Sequence, residues 1–189
     1  MISRKEHKDE ILKMFNSFRG NFLWPQEGNC VETVTQNKET LAVDYKHQPD
    51  TFWKKNLSRE AYHVCRQKGT EKAFSGIYDN FSKEGTYMCA CCGGDYPLYS
   101  SAAKFDSKTG WPSFWEPINL SHIELVKETN LINRFLGTRV EVRCARCDSH
   151  LGHVFDDGPR PTGKRYCMNS VALTFVPNGE TPKRTFPAE

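Results

Sequence analysis

Residues 89–94 read CACCGG and residues 144–147 read CARC, so two Cys-x-x-Cys pairs lie far apart in one chain. Zinc prefers four tetrahedral ligands, and thiolates are among the best of them. Two such pairs are typical of a structural zinc site, and the metal would join two distant segments of a loop-rich domain. We therefore predict one structural Zn²⁺ per chain, bound by four thiolates: Cys89, Cys92, Cys144 and Cys147.

Two features complicate this ligand assignment. The second pair offers a rival set whose members fall at every third residue: Cys144, Cys147, His150 and His153. That set would leave the first pair without a metal, and Gly152 disfavours the helix that such closely spaced ligands would need. Cys91 is adjacent to Cys92 and badly placed to share one ion with it. The spacing therefore favours the four-cysteine set.

Composition and charge set the class of protein. The chain has 189 residues, is 38% hydrophobic and carries a net charge of +3, which is too mild to predict binding to nucleic acid. No apolar run approaches the roughly 20 residues of a membrane span, and the N-terminus lacks the apolar stretch of a signal peptide. Eight cysteines in such a chain read as metal ligands or catalysts in a reducing compartment. We expect a cytoplasmic protein, with an organelle as the alternative.

The order of apolar and turn-forming residues divides the chain into three parts. Residues 1–50 form an extension in which 4–19 are predicted to be helical. Residues 51–177 form the main domain, where a helix is predicted near Ser58 as its cap, and residues 178–189 form a turn-rich tail. Short β-rich segments follow the helix, at residues 85–88, 123–127, 139–143 and 168–176. The fold is predicted to be mainly β and antiparallel, with a few N-terminal helices.

A cysteine outside the metal pairs is the candidate nucleophile. If residues 165–176 form one strand, Arg165, Cys167 and Asn169 project to the same face. That face would continue into the core through three further side chains: Val171, Leu173 and Phe175. Arg165 would favour the thiolate and lower the pKa of Cys167, while Asn169 could hydrogen-bond a substrate. The alternative is a buried, inert cysteine.

Two neighbouring motifs favour the catalytic interpretation. His150 and His153 follow the second metal pair directly and are candidates for proton delivery or for binding a water molecule. Trp111 stands in a loop that Pro112 stiffens, and its ring would offer a flat apolar wall.

Four blocks together resemble a known family. They are residues 69–76 (GTEKAFSG), 104–114 (KFDSKTGWPSF), 142–159 (VRCARCDSHLGHVFDDGP) and 165–170 (RYCMNS). In this order they are similar to the signature of the peptide-methionine (R)-S-oxide reductases, the MsrB family. The resemblance covers about residues 53–177 and leaves residues 1–50 outside it.

The resemblance implies a fold of two antiparallel sheets and a role for each candidate residue. It implies that Cys167 attacks the sulfoxide sulfur, that Trp111 forms the wall against the substrate methyl group, and that Arg165 assists the thiolate. His150, His153 and Asn169 would place and polarise the substrate or a water molecule. Zinc would be bound by the two cysteine pairs. Turnover would reduce methionine-R-sulfoxide, free or in proteins, through a cysteine sulfenic acid, and a thioredoxin-type reductant would restore the enzyme. We expect a monomer.

The sequence departs from the family at the resolving cysteine. Many members have this cysteine just before the Gly-Trp-Pro motif, where this chain has Thr109. Cys65 and Cys30 are the candidates for its replacement, since Cys91 is tied beside the metal. Direct reduction by an external thiol is equally compatible with the sequence.

Two other classes of protein share some of these features. A zinc-ribbon binding module would explain the cysteine pairs, but it leaves Trp111, the two histidines and Cys167 without a common purpose. A structural disulfide protein would explain the number of cysteines, but it would not bind a metal ion. Metal content and the reactivity of Cys167 separate these alternatives.

Overall fold

The computed structural model of the chain describes residues 43–128 and 139–183. The predicted helix at residues 4–19 and the candidate thiol Cys30 therefore lie outside the described residues. The helices within the described part are α1 (Asp50–Asn56) and α2 (Arg59–Gln67). The strands are β1 (Gly85–Cys89), β2 (Pro97–Ser100), β3 (Lys104–Phe105), β4 (Ser113–Phe114), β5 (Ile123–Lys127), β6 (Val140–Cys144), β7 (His150–Phe155), β8 (Arg165–Met168) and β9 (Leu173–Pro177).

The predicted helix cap at Ser58 is confirmed. The Ser58 hydroxyl accepts a hydrogen bond from the Ala61 amide at 3.1 Å, which satisfies one of the free N–H groups at the start of α2. The helix ends at Gln67, and the next residue, Lys68, adopts the left-handed conformation with φ of 58°. Helix α2 packs on β7 through its buried face. No helix among the described residues has the length and apolar character that a membrane crossing requires.

Two antiparallel sheets make up the body of the described residues, as predicted. The first has the order β2-β1-β9, and the second has the order β3-β4-β8-β7-β6-β5. Strand β8 lies inside the second sheet, with β4 on one side and β7 on the other. A residue on β8 is therefore held from both sides by ladder hydrogen bonds, which suits a side chain that must keep a fixed position.

The prediction of one strand over residues 165–176 is wrong. The segment is two strands, β8 and β9, which belong to different sheets and are separated by the 3-10 helix Ser170–Ala172. The Glu71 carboxylate causes the break, because it accepts hydrogen bonds from the amides of Ser170 at 2.7 Å and Val171 at 3.1 Å. These amides therefore cannot continue a sheet ladder. The predicted face through Val171, Leu173 and Phe175 does not exist, because β9 leaves for the other sheet.

The core contains a cluster of aromatic side chains that joins the two sheets. Tyr99 and Phe114 stack with ring centroids 4.5 Å apart, and Tyr87 meets Phe114 edge-on at 5.0 Å. All three are fully buried. Burial of a large apolar side chain contributes about 1.5–3 kcal/mol, so this cluster fixes the packing of β1 and β2 against β4.

Residues 43–56, here called the N-terminal strap, pack against the same body. Tyr45 is 4% exposed and Trp53 is 1% exposed. The guanidinium of Arg146 lies over the Tyr45 ring at 5.1 Å, and that of Arg66 lies over the Trp53 ring at 4.3 Å. Residues on both sides of the predicted boundary at residue 50 thus contribute to one core.

Candidate metal centre and active site

The two cysteine pairs meet at one point. Their four sulfurs lie within 4.8 Å of one another, and all four side chains are fully buried. The Sγ atoms of Cys89 and Cys147 are 3.7 Å apart, as are those of Cys92 and Cys144. Four sulfurs at about 2.3 Å from a tetrahedral ion would be about 3.8 Å apart, so the spacing fits a four-coordinate metal.

Strand ends and turns bring the sulfurs together. Cys89 ends β1 and Cys144 ends β6, and each is followed by a tight turn that returns the second cysteine of its pair. Gly93 makes a sharp turn after the first pair, with φ of 87°. The guanidinium of Arg66 on α2 donates to the Cys147 carbonyl at 2.9 Å and so anchors the second turn.

The rival set of two cysteines and two histidines does not form. The Nδ1 of His150 bonds the Glu141 carboxylate at 2.9 Å, and the Nε2 of His153 bonds Glu128 at 3.2 Å. Among the described residues, the group with metal-ligand geometry contains cysteines alone.

A second centre surrounds Cys167 on β8. Cys167 is paired in register with His153 on β7 and with Ser113 on β4, and directly opposite residues of antiparallel strands share one face. Gly152 keeps β7 close, because a Cβ there would lie 2.1 Å from the Cys167 carbonyl oxygen. The pocket at this face has a volume of about 220 Å³. Its lining residues are Thr70, Thr109, Trp111, Arg139, Gly152, His153, Phe155, Arg165, Cys167, Met168 and Asn169.

The charge state of Cys167 differs from the sequence-based prediction. Burial raises the pKa of the Cys167 thiol, and the Arg165 guanidinium and the hydroxyls of Thr109 and Ser113 offset only part of this rise. The direction predicted for Arg165 is correct, but its effect is smaller than that of burial. The net pKa of Cys167 is therefore raised, and in the free protein the group rests as a thiol rather than as the thiolate that Arg165 was expected to favour.

Arg165 is held by two neighbours. It donates from Nε and Nη2 to the Asp157 carboxylate at 2.9 and 2.8 Å, and its plane lies over the Phe155 ring at 4.3 Å. A guanidinium fixed by a bidentate pair cannot turn away from the thiol that it faces.

Trp111 lines the pocket, as expected for an apolar wall. Its indole Nε1–H donates to the Glu71 carbonyl oxygen at 3.1 Å. This bond fixes the plane of the ring, and the carboxylate of the same Glu71 fixes the turn after β8. Glu71 therefore joins the wall of the pocket to the strand that carries the nucleophile.

The two histidines have different positions. His153 lines the pocket, whereas His150 lies behind it at 2% exposure, and their ring centroids are 5.2 Å apart. Burial lowers the pKa of both imidazoles, so both are neutral at pH 7. Arg139 can only donate, so the His153 Nδ1 at 3.3 Å from its Nη2 must be the acceptor, and the His153 proton is on Nε2.

Asn169 lines the pocket together with Arg165 and Cys167. It lies just after β8, and its amide is already engaged: Oδ1 accepts from the Glu71 amide at 3.0 Å, and Nδ2 donates to the Leu151 carbonyl at 3.0 Å. One Nδ2 hydrogen is left to face the pocket.

The candidate resolving thiols have different positions as well. Cys65 is buried on α2 and is not among the residues that line the pocket, and Cys91 is buried between two metal-cluster cysteines. Thr109 occupies the pocket wall, and its hydroxyl is bonded to Ser107 at 2.7 Å.

Sequence reasoning missed three residues of the site: Glu71, Glu141 and Arg139. Glu71 lies inside the family-like block at residues 69–76, but the partners of its carboxylate are almost a hundred residues away, and no local pattern shows such a contact. Glu141 alternates with valines, a pattern typical of a solvated position, yet it is fully buried. The available signal for Glu141 was its place between two strand valines, shortly before the strand that carries the two histidines.

Comparison with known proteins agrees with this geometry. A family model described as the SelR domain matches residues 57–177. The protein named peptide methionine sulfoxide reductase B1, chloroplastic, of Oryza sativa subsp. japonica is 53% identical over 124 residues, which is 66% of this chain and 55% of that protein. Its namesake in Arabidopsis thaliana is 55% identical over 136 residues, with 72% and 64% covered.

A bacterial relative is covered more completely. Peptide methionine sulfoxide reductase MsrB of Pseudomonas aeruginosa (strain UCBPP-PA14) is 49% identical over 130 residues, which is 69% of this chain and 94% of that protein. The chain thus spans less than two thirds of the two plant relatives and nearly all of the bacterial one.

Proposed function

Since the chain belongs to the SelR domain family, we propose that it is a peptide-methionine (R)-S-oxide reductase, which returns methionine-R-sulfoxide, free or within proteins, to methionine. The observation that carries this proposal is the contrast among thiols. Of the cysteines in the described residues, Cys167 alone is not buried, and it opens into a pocket walled by Trp111.

The chemical step begins at Cys167. Its sulfur attacks the sulfoxide sulfur, the S–O bond breaks, and the oxygen is transferred to Cys167 as a sulfenic acid while methionine leaves as a neutral thioether. The substrate gains two electrons and Cys167 loses two. The attack uses the thiolate, and the proton that leaves the resting thiol balances the one needed by the oxygen.

Proton transfer to the oxygen must accompany the attack, because an unprotonated sulfoxide oxygen is a poor leaving group. We propose that His153 at the pocket wall and His150 behind it guide this proton, directly or through water. Arg165 holds negative charge on the sulfur, and the free Nδ2 hydrogen of Asn169 can contact the substrate. The apolar ring of Trp111 receives the methyl group.

Four thiolates of this spacing suit one structural Zn²⁺, bound by Cys89, Cys92, Cys144 and Cys147. Its contribution when bound is to join two distant turns and so stabilise the sheets. Zinc takes no part in the proposed reaction, because the described cluster is buried and distinct from the pocket.

The sulfenic acid must then be reduced. A thiol condenses with it to a disulfide and releases water, and a second thiol frees Cys167. Cys65 is buried, so we favour Cys30 or an external thioredoxin-type reductant over Cys65. Mass spectrometry after one turnover without reductant separates these routes. A disulfide-linked peptide would identify the cysteine that pairs with Cys167, whereas a persistent sulfenic acid would mean that the reductant is external.

The decisive experiment uses separated sulfoxide epimers. Wild-type protein should reduce the R epimer and leave the S epimer unchanged, and Cys167→Ser should abolish turnover while keeping about one zinc per chain. R-epimer turnover by Cys167→Ser would contradict the proposal. We also propose that the enzyme is a monomer and that it works in a reducing compartment, cytoplasmic or organellar.

A further inference from the structure

A fully buried carboxylate on β6 is not used by the mechanism above. Glu141 is 0% exposed, and an isolated charge at such a position would be strongly destabilising. Its Oε2 accepts from Lys68 Nζ at 2.9 Å and from Arg143 Nε and Nη2 at 3.0 and 2.8 Å. Its Oε1 faces His150 Nδ1 at 2.9 Å.

These contacts decide where the His150 proton is. Burial would raise the pKa of Glu141, but the hydrogen bonds from Arg143, Lys68 and His150 outweigh it and lower the pKa to about 2. An ionised carboxylate can only accept, so His150 must donate from Nδ1. Because burial also keeps His150 neutral, its Nε2 carries a lone pair and no hydrogen.

That Nε2 atom is buried and has no hydrogen-bond partner among the described residues. A buried polar atom without a partner costs about 1–3 kcal/mol, so a hydrogen-bond donor that reaches this lone pair would be stabilised there. The ring packs edge-on against His153, which lines the pocket and pairs in register with Cys167. The His150 ring therefore lies behind His153, the residue paired with the reacting cysteine.

We propose that Glu141 is a positioning residue for the reaction: it holds His150 in the Nδ1–H form, so that Nε2 accepts a hydrogen bond from the water through which the proton reaches the sulfoxide oxygen. This inference rests on the proposed function. His150 neither gains nor loses a proton over a turnover, because it only orients the water.

The variant Glu141→Gln tests this directly. Three donor groups, on Lys68 and Arg143, point at the Oε2 position, so the glutamine oxygen should occupy it and the amide NH₂ should face His150. An NH₂ group donates, so Nδ1 must become the acceptor and the proton must move to Nε2. The substitution is nearly isosteric, yet it should reverse the tautomer.

Two measurements follow. Long-range ¹H–¹⁵N NMR should show His150 as Nδ1–H in the wild type and as Nε2–H in Glu141→Gln. For R-sulfoxide reduction, kcat should fall by about tenfold to a hundredfold while KM changes by less than about twofold, since a lost proton-positioning group affects the chemical step. Adding Glu141→Gln to His150→Gln should cost no more than about a further twofold, because both act through one ring. Glu124→Gln, on the neighbouring strand with a half-exposed side chain, is the matched control and should change neither readout.

Several outcomes would overturn the inference. They are an Nε2–H tautomer in the wild type, a tautomer reversal in Glu141→Gln with unchanged kcat, or a full further loss in the double variant. If Glu141→Gln does not fold, the inference can still be tested by the wild-type tautomer of His150 and the kcat of His150→Gln. A wild-type Nε2–H form, or an unchanged kcat in His150→Gln, would refute the inference. Absence of R-sulfoxide reduction in wild type would instead refute the proposed function, independently of the tautomer.

Discussion

The metal cluster and the catalytic pocket both depend on cysteine, but the cysteines of the cluster are closed to solvent and that of the pocket is open to it. Cys144, at the end of β6, faces three other sulfurs and no solvent. Cys167, inside β8, faces a guanidinium, hydroxyls and an open pocket. Both are set by strands of the same sheet, so backbone position does not distinguish them. The neighbours of each sulfur decide whether it binds a metal or reacts.

The largest effect is expected from the removal of one cysteine ligand from the metal cluster. Cys144→Ser should abolish metal binding and the cooperative unfolding transition, because binding at structural zinc sites is worth about 10–16 kcal/mol in zinc-finger peptides and is coupled to folding. Zinc content and thermal unfolding by circular dichroism measure this. Cys91→Ser is the matched control, since it removes a buried thiol between two ligands and should keep the metal. Retained zinc in Cys144→Ser would refute the ligand assignment.

A smaller effect is expected at the apolar wall of the pocket. Trp111→Ala should lower kcat/KM for the R epimer by about tenfold to a hundredfold, because an apolar contact with the substrate is worth about 1–3 kcal/mol. Trp111→Phe keeps a ring but loses the Nε1–H bond to Glu71, and should retain most activity. Steady-state kinetics on the separated epimer measures both. Equal losses in the two variants would mean that the indole hydrogen bond matters more than the wall.

The smallest effect concerns the charge on the nucleophile. Arg165→Gln should raise the pKa of Cys167 further, because its positive charge favours the thiolate. Alkylation requires the thiolate, so at pH 8 its rate should fall by about tenfold. The pH dependence of iodoacetamide labelling, followed by mass spectrometry, measures this change. Arg139→Gln, on another wall of the same pocket, serves as the control, and an equal loss there would show that total charge matters rather than Arg165.

Much of the fold followed from local patterns. The doubled cysteine pairs, the cap at Ser58 and the short strands near residues 85–88, 123–127 and 139–143 are local signals, and each is confirmed. The interruption after β8 could not be predicted in this way, because Glu71 causes it from almost a hundred residues earlier. When the contact with that carboxylate is not known, the alternation of side chains over residues 165–176 predicts a single strand.

The candidate site shows the same limit. The pocket brings together Trp111, His153, Arg165, Cys167 and Asn169, all of which were expected from motifs. The motifs did not predict how far burial outweighs Arg165 at the thiol, because burial depends on the whole packed body. They also did not separate His153 at the wall from His150 behind it, since spacing alone treats the two alike.

The N-terminal strap has a practical consequence. The family match begins at residue 57, but Tyr45 and Trp53 precede it and lie against the side chains of Arg146 and Arg66, beside the cysteine turns. A recombinant fragment trimmed to the matched segment would remove the Trp53 ring from Arg66 and the Tyr45 ring from Arg146, which would keep Tyr96, and it would uncover the flank of the thiol cluster. The segment that homology identifies is therefore shorter than the fragment that should retain its metal in the presence of a chelator.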